Sequence, residues 1–115
     1  MNIPARERLI VALDLPEVAA PKVSVGGELE LVTLTPAIRA ERRVLSAAGA
    51  VVYRVSDRVR NEIGLREGDV IVQINRTRIT SADQVSEAME FYGRRGFIQM
   101  LVERNGRYYR TEFRI

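Results

Sequence analysis

The sequence predicts one α+β domain in which helices are inserted into a set of mostly antiparallel strands. Apolar residues alternate in several short runs, helix-capping residues stand between these runs, and an Asn-Gly pair joins the last two. Antiparallel strands with interspersed helices are typical of α+β domains and not of a repeated strand-helix-strand unit. The 115 residues are enough for one compact domain and too few for two.

The composition excludes several classes of function. The chain has 18 basic and 15 acidic residues, and the two signs are interleaved along most of its length. Such a mixture is typical of a solvated surface and not of a stripe that follows nucleic-acid phosphates, so we expect no nucleic-acid partner. The chain has no His and no Cys, which removes Ser-His-Asp catalysis, thiol catalysis and the usual zinc sites. We therefore predict that it is no enzyme by itself and needs no metal or cofactor.

The hydropathy pattern predicts no membrane-inserted segment. No apolar run approaches the roughly 20 residues that a membrane helix needs. The charged N-terminus is not followed by an apolar segment of the kind found in signal peptides. Any export signal is therefore expected to lie outside this sequence.

The first 25 residues are predicted to form a strand and a stiff linker. Residues 8–15 alternate with period two, as a strand does. Residues 16–21 have proline at both ends and cannot continue a strand ladder. The leading strand is either the end of a preceding module or an added segment that packs on the domain or pairs with a neighbouring copy. We therefore divide the chain into residues 1–25 and a domain of residues 26–115.

The domain is predicted to begin with a strand and a short helix. Gly26 and Gly27 introduce an extended run over residues 28–33, in which leucines and glutamates alternate. Thr35 followed by proline is typical of a helix start, and predicts a turn or short helix over residues 37–43.

The centre of the chain is predicted to contain two strands separated by a short helix and a turn. Residues 50–55 are rich in β-branched and aromatic residues, and Ser56 is the expected N-cap of a helix over residues 57–62. A Gly-bounded turn then leads into a strand over residues 70–75. Asp69 is expected to cap this turn by accepting backbone hydrogen bonds, and not to act in catalysis.

The last third of the domain is predicted to be a longer helix followed by a hairpin. Ser81 with Gln84 three residues later is a capping-box pattern, and the helix is expected to reach about residue 92. Asn105-Gly106 between two alternating runs indicates a hairpin, because a type I′ turn needs positive φ at both central residues.

An ordered set of motifs in the centre of the chain resembles the middle of a bacterial PDZ domain. The family pattern is a strand ending in Ser, a short helix, a Gly-Leu-x-x-Gly-Asp turn and an apolar strand ending in Asn. Here it reads Ser56, then Gly64-Leu65-Arg66-Glu67-Gly68-Asp69, then Val70-Ile71-Val72-Gln73-Ile74-Asn75. The resemblance covers about residues 27–115 and implies a PDZ-like, partly open antiparallel barrel or sandwich of about five to six strands with two helices. The element order is similar to the circularly permuted form of the HtrA/Deg serine proteases.

The same resemblance implies a peptide groove. PDZ domains bind a peptide C-terminus as an added strand between an edge strand and the longer helix. Carried onto this sequence, residues 28–33 are the edge strand. The loop expected to hold the ligand carboxylate comprises Gly27, Glu28, Leu29, Glu30 and Leu31. The helix residues expected to face the groove are Ala82, Ser86, Met89 and Glu90.

Some of these residues also support an alternative interpretation. Glu30 stands where HtrA/Deg proteins often carry Gly, and acidic side chains repel a ligand carboxylate unless they point to solvent. Leu29, Leu31 and Met89 are equally compatible with a plain core. The alternative is a structural or oligomerisation module with an occluded groove.

The function that the resemblance implies is capture of C-terminal or unfolded segments by strand addition. Such capture would serve substrate recognition or regulation of an attached HtrA-type serine protease, in protein quality control in the bacterial periplasm or cell envelope. The expected partners are peptides or unfolded protein C-termini, the protease domain of the parent chain, and further copies joined through the parent. A further alternative is the PDZ domain of another envelope protein, such as a site-2 protease, a tail-specific protease or a secretion component.

Overall fold

The computed structural model describes residues 21–114 and the backbone of residues 10–12. Most of the linker predicted over residues 16–21, and both ends of the strand predicted over residues 8–15, lie outside the described residues. The elements in chain order are β1 (Ile10–Ala12), β2 (Lys22–Val25), β3 (Leu29–Thr33), α1 (Pro36–Arg42), β4 (Ala50–Ser56), α2 (Asp57–Glu62), β5 (Val70–Ile74), β6 (Thr77–Arg78), α3 (Ala82–Gly93), β7 (Ile98–Arg104) and β8 (Arg107–Phe113).

All strands belong to one open antiparallel sheet. Its main path runs β2-β3-β4-β5-β7-β8, while β1 pairs with the end of β4 and β6 pairs with β5. The predicted α+β class and the antiparallel arrangement are confirmed. The described residues form eight strands and three helices, more than the resemblance implied. The short strands β1, β2 and β6 account for the additional strands, and β2 is the one that lies at the site.

Short-range signals place the helices and the last turn. Thr35, Ser56 and Ser81 precede α1, α2 and α3. Each side-chain oxygen accepts a hydrogen bond from the backbone amide three residues later, at 3.1, 3.2 and 3.4 Å respectively. Asn105 and Gly106 have φ values of 52° and 76° and form the predicted turn between β7 and β8. These predictions are confirmed.

The sheet buries apolar side chains on both faces. The larger cluster lies under α3 and contains Leu31, Ile74 and Val85 among its fully buried members. The smaller cluster lies on the opposite face, because its strand residues alternate with those of the larger one. It is formed by Val32, Leu34, Val51 and Val70. α3 therefore packs on a continuous apolar surface of the sheet, which includes the buried residues of β3.

Asp69 fastens the turn before β5 to the end of β7. Its Oδ2 accepts a hydrogen bond from the amide of Arg66 at 2.9 Å, as predicted. The guanidinium of Arg104 donates to both carboxylate oxygens at 2.7 Å, and these bonds raise the pKa of Arg104 above its usual value. Asp69 is only 1% exposed, so its carboxylate is fully used in holding the fold.

Candidate functional site

The space between β3 and α3 is occupied by β2. β2 pairs antiparallel with β3, with Val23 opposite Leu31 and Val25 opposite Leu29, and α3 packs on β2 as well as on β3. The prediction that residues 28–33 form a free edge strand is wrong. β3 has a neighbour on each side, and the chain's own residues 22–25 fill the position of an added strand.

A glycine turn brings β2 back along β3. Gly26 and Gly27 have φ values of 63° and 71°, in the left-handed region that glycine adopts without a steric penalty. The amide of Glu28 donates to the carbonyl of Val25 across this turn at 3.4 Å. The predicted boundary between residues 25 and 26 thus falls at the start of a tight hairpin turn.

The side chains of β2 alternate between the core and solvent. Val23 and Val25 are half-buried and pack against the larger core cluster, while Lys22 and Ser24 are exposed. The sequence analysis missed this strand. Two valines at alternate positions directly before a glycine pair are a hairpin signal, and that signal was available in the sequence.

The Glu30 side chain points away from the groove. It lies opposite Arg54 on β4, whose guanidinium donates to its carboxylate at 3.4 Å. Leu29 and Leu31, its neighbours in β3, are buried in the cluster under α3. Because side chains alternate along a strand, the charge of Glu30 lies on the other face of the sheet. It therefore does not oppose an anionic group in the groove.

The Glu28 side chain is held at the start of α2. Its carboxylate accepts hydrogen bonds from Ser56 Oγ at 3.0 Å and from Arg58 at 2.8 Å. Arg58 also binds Glu62 at 3.1 Å. The carboxylate of Glu28, and after it that of Glu62, raises the pKa of Arg58 above its usual value. Two carboxylates at this end of the groove therefore share one guanidinium, which leaves the group with one net negative charge.

A cavity of about 500 Å³ opens at the glycine end of β2, between β3, α2 and α3. Leu29, Leu65 and Met100 form an apolar floor, and Val25 forms part of one wall. This volume falls in the range of about 300–1,000 Å³ that is usual for ligand pockets. The charged residues that line the cavity are Glu28, Arg58, Glu62, Glu90 and Arg114.

The structure brings three of the four predicted helix residues to this cavity. Ser86, Met89 and Glu90 line it, but Ala82 does not. Ala82 is 1% exposed and lies in the core, where its amide donates to Thr33 Oγ1 at 3.0 Å, at the end of β3.

The predicted carboxylate loop is also divided by the structure. Glu28 and Leu29 line the cavity, whereas Gly27, Glu30 and Leu31 do not. The lining residues that the sequence analysis did not name as site residues include Ser24, Val25, Gly26, Arg58, Ile63 and Phe113. Apart from Ser24, Val25 and Gly26 of the missed hairpin, the missed residues come from α2, the turn after it, β7 and the chain end. No local signal in the sequence links these segments to the groove.

The described part of the chain offers no metal-binding cluster. Among residues 10–12 and 21–114, no group of three or more His, Cys, Asp or Glu side chains is placed to hold a metal ion. In the same residues, no helix has both the length and the apolar character needed to cross a membrane.

Comparison with solved structures finds the same fold in PDZ domains. The PDZ domain of HtrA3, bound to a phage-derived ligand (FGRWV), matches with a TM-score of 0.63 and 20% identity, over 82% of this chain and 84% of that chain. The PDZ domain of EpsC from Vibrio cholerae (residues 219–305) matches with a TM-score of 0.52 and 20% identity, over 76% and 94%. No protein-family model and no curated protein matches the sequence.

Proposed function

We propose that this chain, which has a PDZ-like fold, is a peptide-binding module whose groove lies between β3 and α3. One observation carries the proposal: the groove already holds an extended four-residue segment, β2, paired antiparallel with β3. A groove that accepts this strand is complementary in hydrogen bonding and in shape to an extended peptide. In strand addition, main-chain hydrogen bonds supply affinity and pockets for alternate side chains supply selectivity.

The cavity beside the glycine turn is the proposed pocket for the last apolar side chain of the ligand. Its floor is apolar, and Met89 in its wall is flexible enough to fit side chains of different shapes. Arg58 at the rim is already bound by Glu28 and Glu62. We therefore assign the ligand carboxylate to the backbone amides that follow the glycine turn and not to this guanidinium.

The wider role that we propose is capture of C-terminal or unfolded segments, for substrate recognition or regulation of an HtrA-type serine protease in the bacterial envelope. The HtrA3 domain, which was solved with a peptide ligand, supports the peptide as the partner. The parent protease and its oligomers rest on the sequence resemblance. The EpsC domain equally favours a PDZ domain of another bacterial protein.

A second candidate function is a structural module whose groove is permanently closed. The observation that favours it is again β2, because a strand that never leaves β3 would prevent any ligand from binding there. The two functions make opposite predictions for a peptide titration.

The test is a titration of the isotope-labelled chain with peptides that end in a free carboxylate, including FGRWV, followed by amide chemical shifts. Peptide capture predicts saturable shifts at Glu28, Leu29, Ser86 and Met89, and weaker binding when the peptide C-terminus is amidated. Arg76, in the turn between β5 and β6, provides an internal control that should not shift. If no peptide shifts the groove amides, the closed structural module is correct.

A further inference from the structure

We propose that β2 is a displaceable internal ligand, and that peptides enter the groove by exchanging with it. This inference rests on the proposed function and adds both the regulation of the site and the class of ligand. The ligands are extended segments with small, β-branched apolar residues at two alternate positions, the second of them next to the cavity.

The first support is the direction and register of β2. It runs antiparallel to β3 towards the glycine turn and the cavity, so that Val25 stands beside the cavity and Val23 lies two residues earlier. Both valines point towards the core, and Ser24 between them is exposed. The strand thus presents the pattern of a ligand that ends at the cavity. The chain itself shows which side chains the groove accepts.

The second support is that the side chains of β2 make few polar interactions. The strand has four residues, and both of its inward valines are only half-buried. Among the described residues, its side chains make no hydrogen bond or ion pair. Lys22 makes a single cation–π contact, with Nζ 4.7 Å from the centre of the Tyr53 ring. Nothing here resembles the buried network that holds Asp69 to Arg104.

The third support is the turn that joins β2 to β3. Gly26 and Gly27 are both exposed, and no atom lies within 4 Å of the place where a Cβ would stand. Two consecutive glycines impose little resistance to backbone rotation. The turn hydrogen bond from Glu28 to Val25 is long at 3.4 Å. When β2 leaves, the Glu28 amide becomes available, and the carboxylate of a ligand can take the place of the Val25 carbonyl.

The fourth support is what the departure of β2 would expose. Leu29 and Leu31 in β3 are 4% and 0% exposed with β2 in place. An uncovered β3 would present unpaired backbone groups above an apolar floor, which is a site for aggregation. The groove is therefore protected from aggregation only while β2 or a partner segment of the same pattern occupies it.

Strand exchange has a quantitative consequence. A peptide binds only the fraction of molecules from which β2 has departed, so the apparent dissociation constant is the intrinsic one divided by that fraction. Weakening β2 raises this fraction and tightens binding. Locking β2 to β3 prevents this departure and therefore abolishes peptide binding.

The first experiment weakens β2 in the full chain. The probe is the synthetic peptide Pro-Lys-Val-Ser-Val with a free C-terminus, which copies residues 21–25, and the variant is Val23→Ser/Val25→Ser. We expect the variant to bind this peptide about tenfold or more tightly than the parent chain. A matched double variant at the opposite sheet edge, Arg107→Ser/Arg110→Ser, should bind like the parent. Circular dichroism checks that each variant is folded.

The outcomes separate the two proposals. If the parent and the β2 variant bind the peptide equally, or the variant binds more weakly, strand exchange is wrong while peptide binding stands. If neither binds this peptide nor FGRWV, the proposed function itself fails.

The second experiment locks β2 in place. Ser24 and Glu30 are directly opposite in the β2–β3 pairing, and opposite residues in an antiparallel pair are close enough for a disulfide. Because the chain has no cysteine, Ser24→Cys/Glu30→Cys introduces the only possible pair. We expect the oxidised form to bind the peptide at least about tenfold more weakly than the same variant after reduction. Equal affinity with a complete crosslink, verified by mass spectrometry, would overturn the inference.

Discussion

The two edges of the sheet are protected in different ways. β8 is a seven-residue strand that pairs with β7 along its whole length, and most of its side chains are exposed, including arginines and tyrosines. β2 is a four-residue strand with two inward valines, covered by α3. Charged and polar side chains protect an exposed edge strand from pairing with another chain, so that no further element has to cover it. β3 has apolar residues at the corresponding place, so it needs another strand beside it.

This difference suggests how a binding edge is distinguished from a permanent one. β8 is tied to the rest of the fold by a hydrogen bond from Thr111 to the carbonyl of Ile63 at 2.6 Å, and by the two-residue turn at Asn105-Gly106. β2 has a glycine pair and half-buried valines instead. The strand-exchange proposal treats β8 as a permanent edge that is part of the folding unit. It requires that β2, the cover of the proposed binding edge, be held weakly enough to exchange.

The largest expected effect comes from removing the buried pair of Asp69 and Arg104, which anchors the end of β7 beside the permanent edge. Asp69→Ala removes the partner of Arg104 at the end of β7, and we expect a loss of about 3 kcal/mol in the free energy of unfolding, measured with denaturant. The value is at the low end for a buried pair because Arg104 is partly exposed. Asp83→Ala, at an exposed position in α3, is the control and should lose much less. Equal losses would show that the anchor is unimportant.

The next effect concerns the binding edge itself. Met89→Asp places a charge in the wall of the cavity, and we expect peptide affinity to fall at least about tenfold while the fold is retained, because Met89 is not fully buried. Phe91→Asp, on the exposed side of the same helix, is the control. Calorimetric titration measures both. Equal affinities for the two variants would show that the ligand does not bind in this cavity.

A matched pair of glycine substitutions compares the two edges directly. Gly27 and Gly106 have φ values of 71° and 76°, so alanine is strained similarly at both, by about 1 kcal/mol. We expect Gly106→Ala to lower the global stability by that amount. Gly27→Ala should instead increase local opening, seen as about fivefold faster hydrogen exchange at the β3 amides paired with β2. If both variants lose only global stability, β2 belongs to the same cooperative unit as β8.

The smallest expected effect is at Glu30. Because its pair with Arg54 is on the far face of the sheet and partly exposed, Glu30→Gln should change the free energy of unfolding by less than about 0.5 kcal/mol. Peptide affinity should stay within about twofold of the parent chain, since a shift of that size is well below 1 kcal/mol. A larger change in affinity would place this carboxylate in the groove after all.

Much of the fold was predictable because its signals act over a few residues. The caps at Thr35, Ser56 and Ser81, the Asn105-Gly106 turn and the turn closed by Asp69 depend on neighbours close in the chain. That Ser86, Met89 and Glu90 line one cavity was predictable, because helical spacing sets which side chains share a face.

The rest of the site depends on contacts between distant segments. The period-two pattern of Val23 and Val25 before the glycine pair indicates a hairpin with the next strand, but it does not say that α3 packs against that hairpin. Four residues are also too few to distinguish a strand from a linker by pattern alone. Ala82, the fourth helix residue of that prediction, is buried beside the end of β3 and does not line the cavity.

The sequence by itself determined the α+β class, the helix starts, the last hairpin and the resemblance to PDZ domains. The helix starts and the last hairpin depend on the conformational preferences of a few adjacent residues, whereas the class and the resemblance depend on the order of such local motifs along the chain. Only the tertiary structure decided that α3 packs on β2, that Glu30 lies beside Arg54 on the other face of the sheet, and that Glu28 joins Glu62 in binding Arg58. The physical reason is that these features depend on packing and ion pairing between separate elements, which the pattern of adjacent residues does not specify.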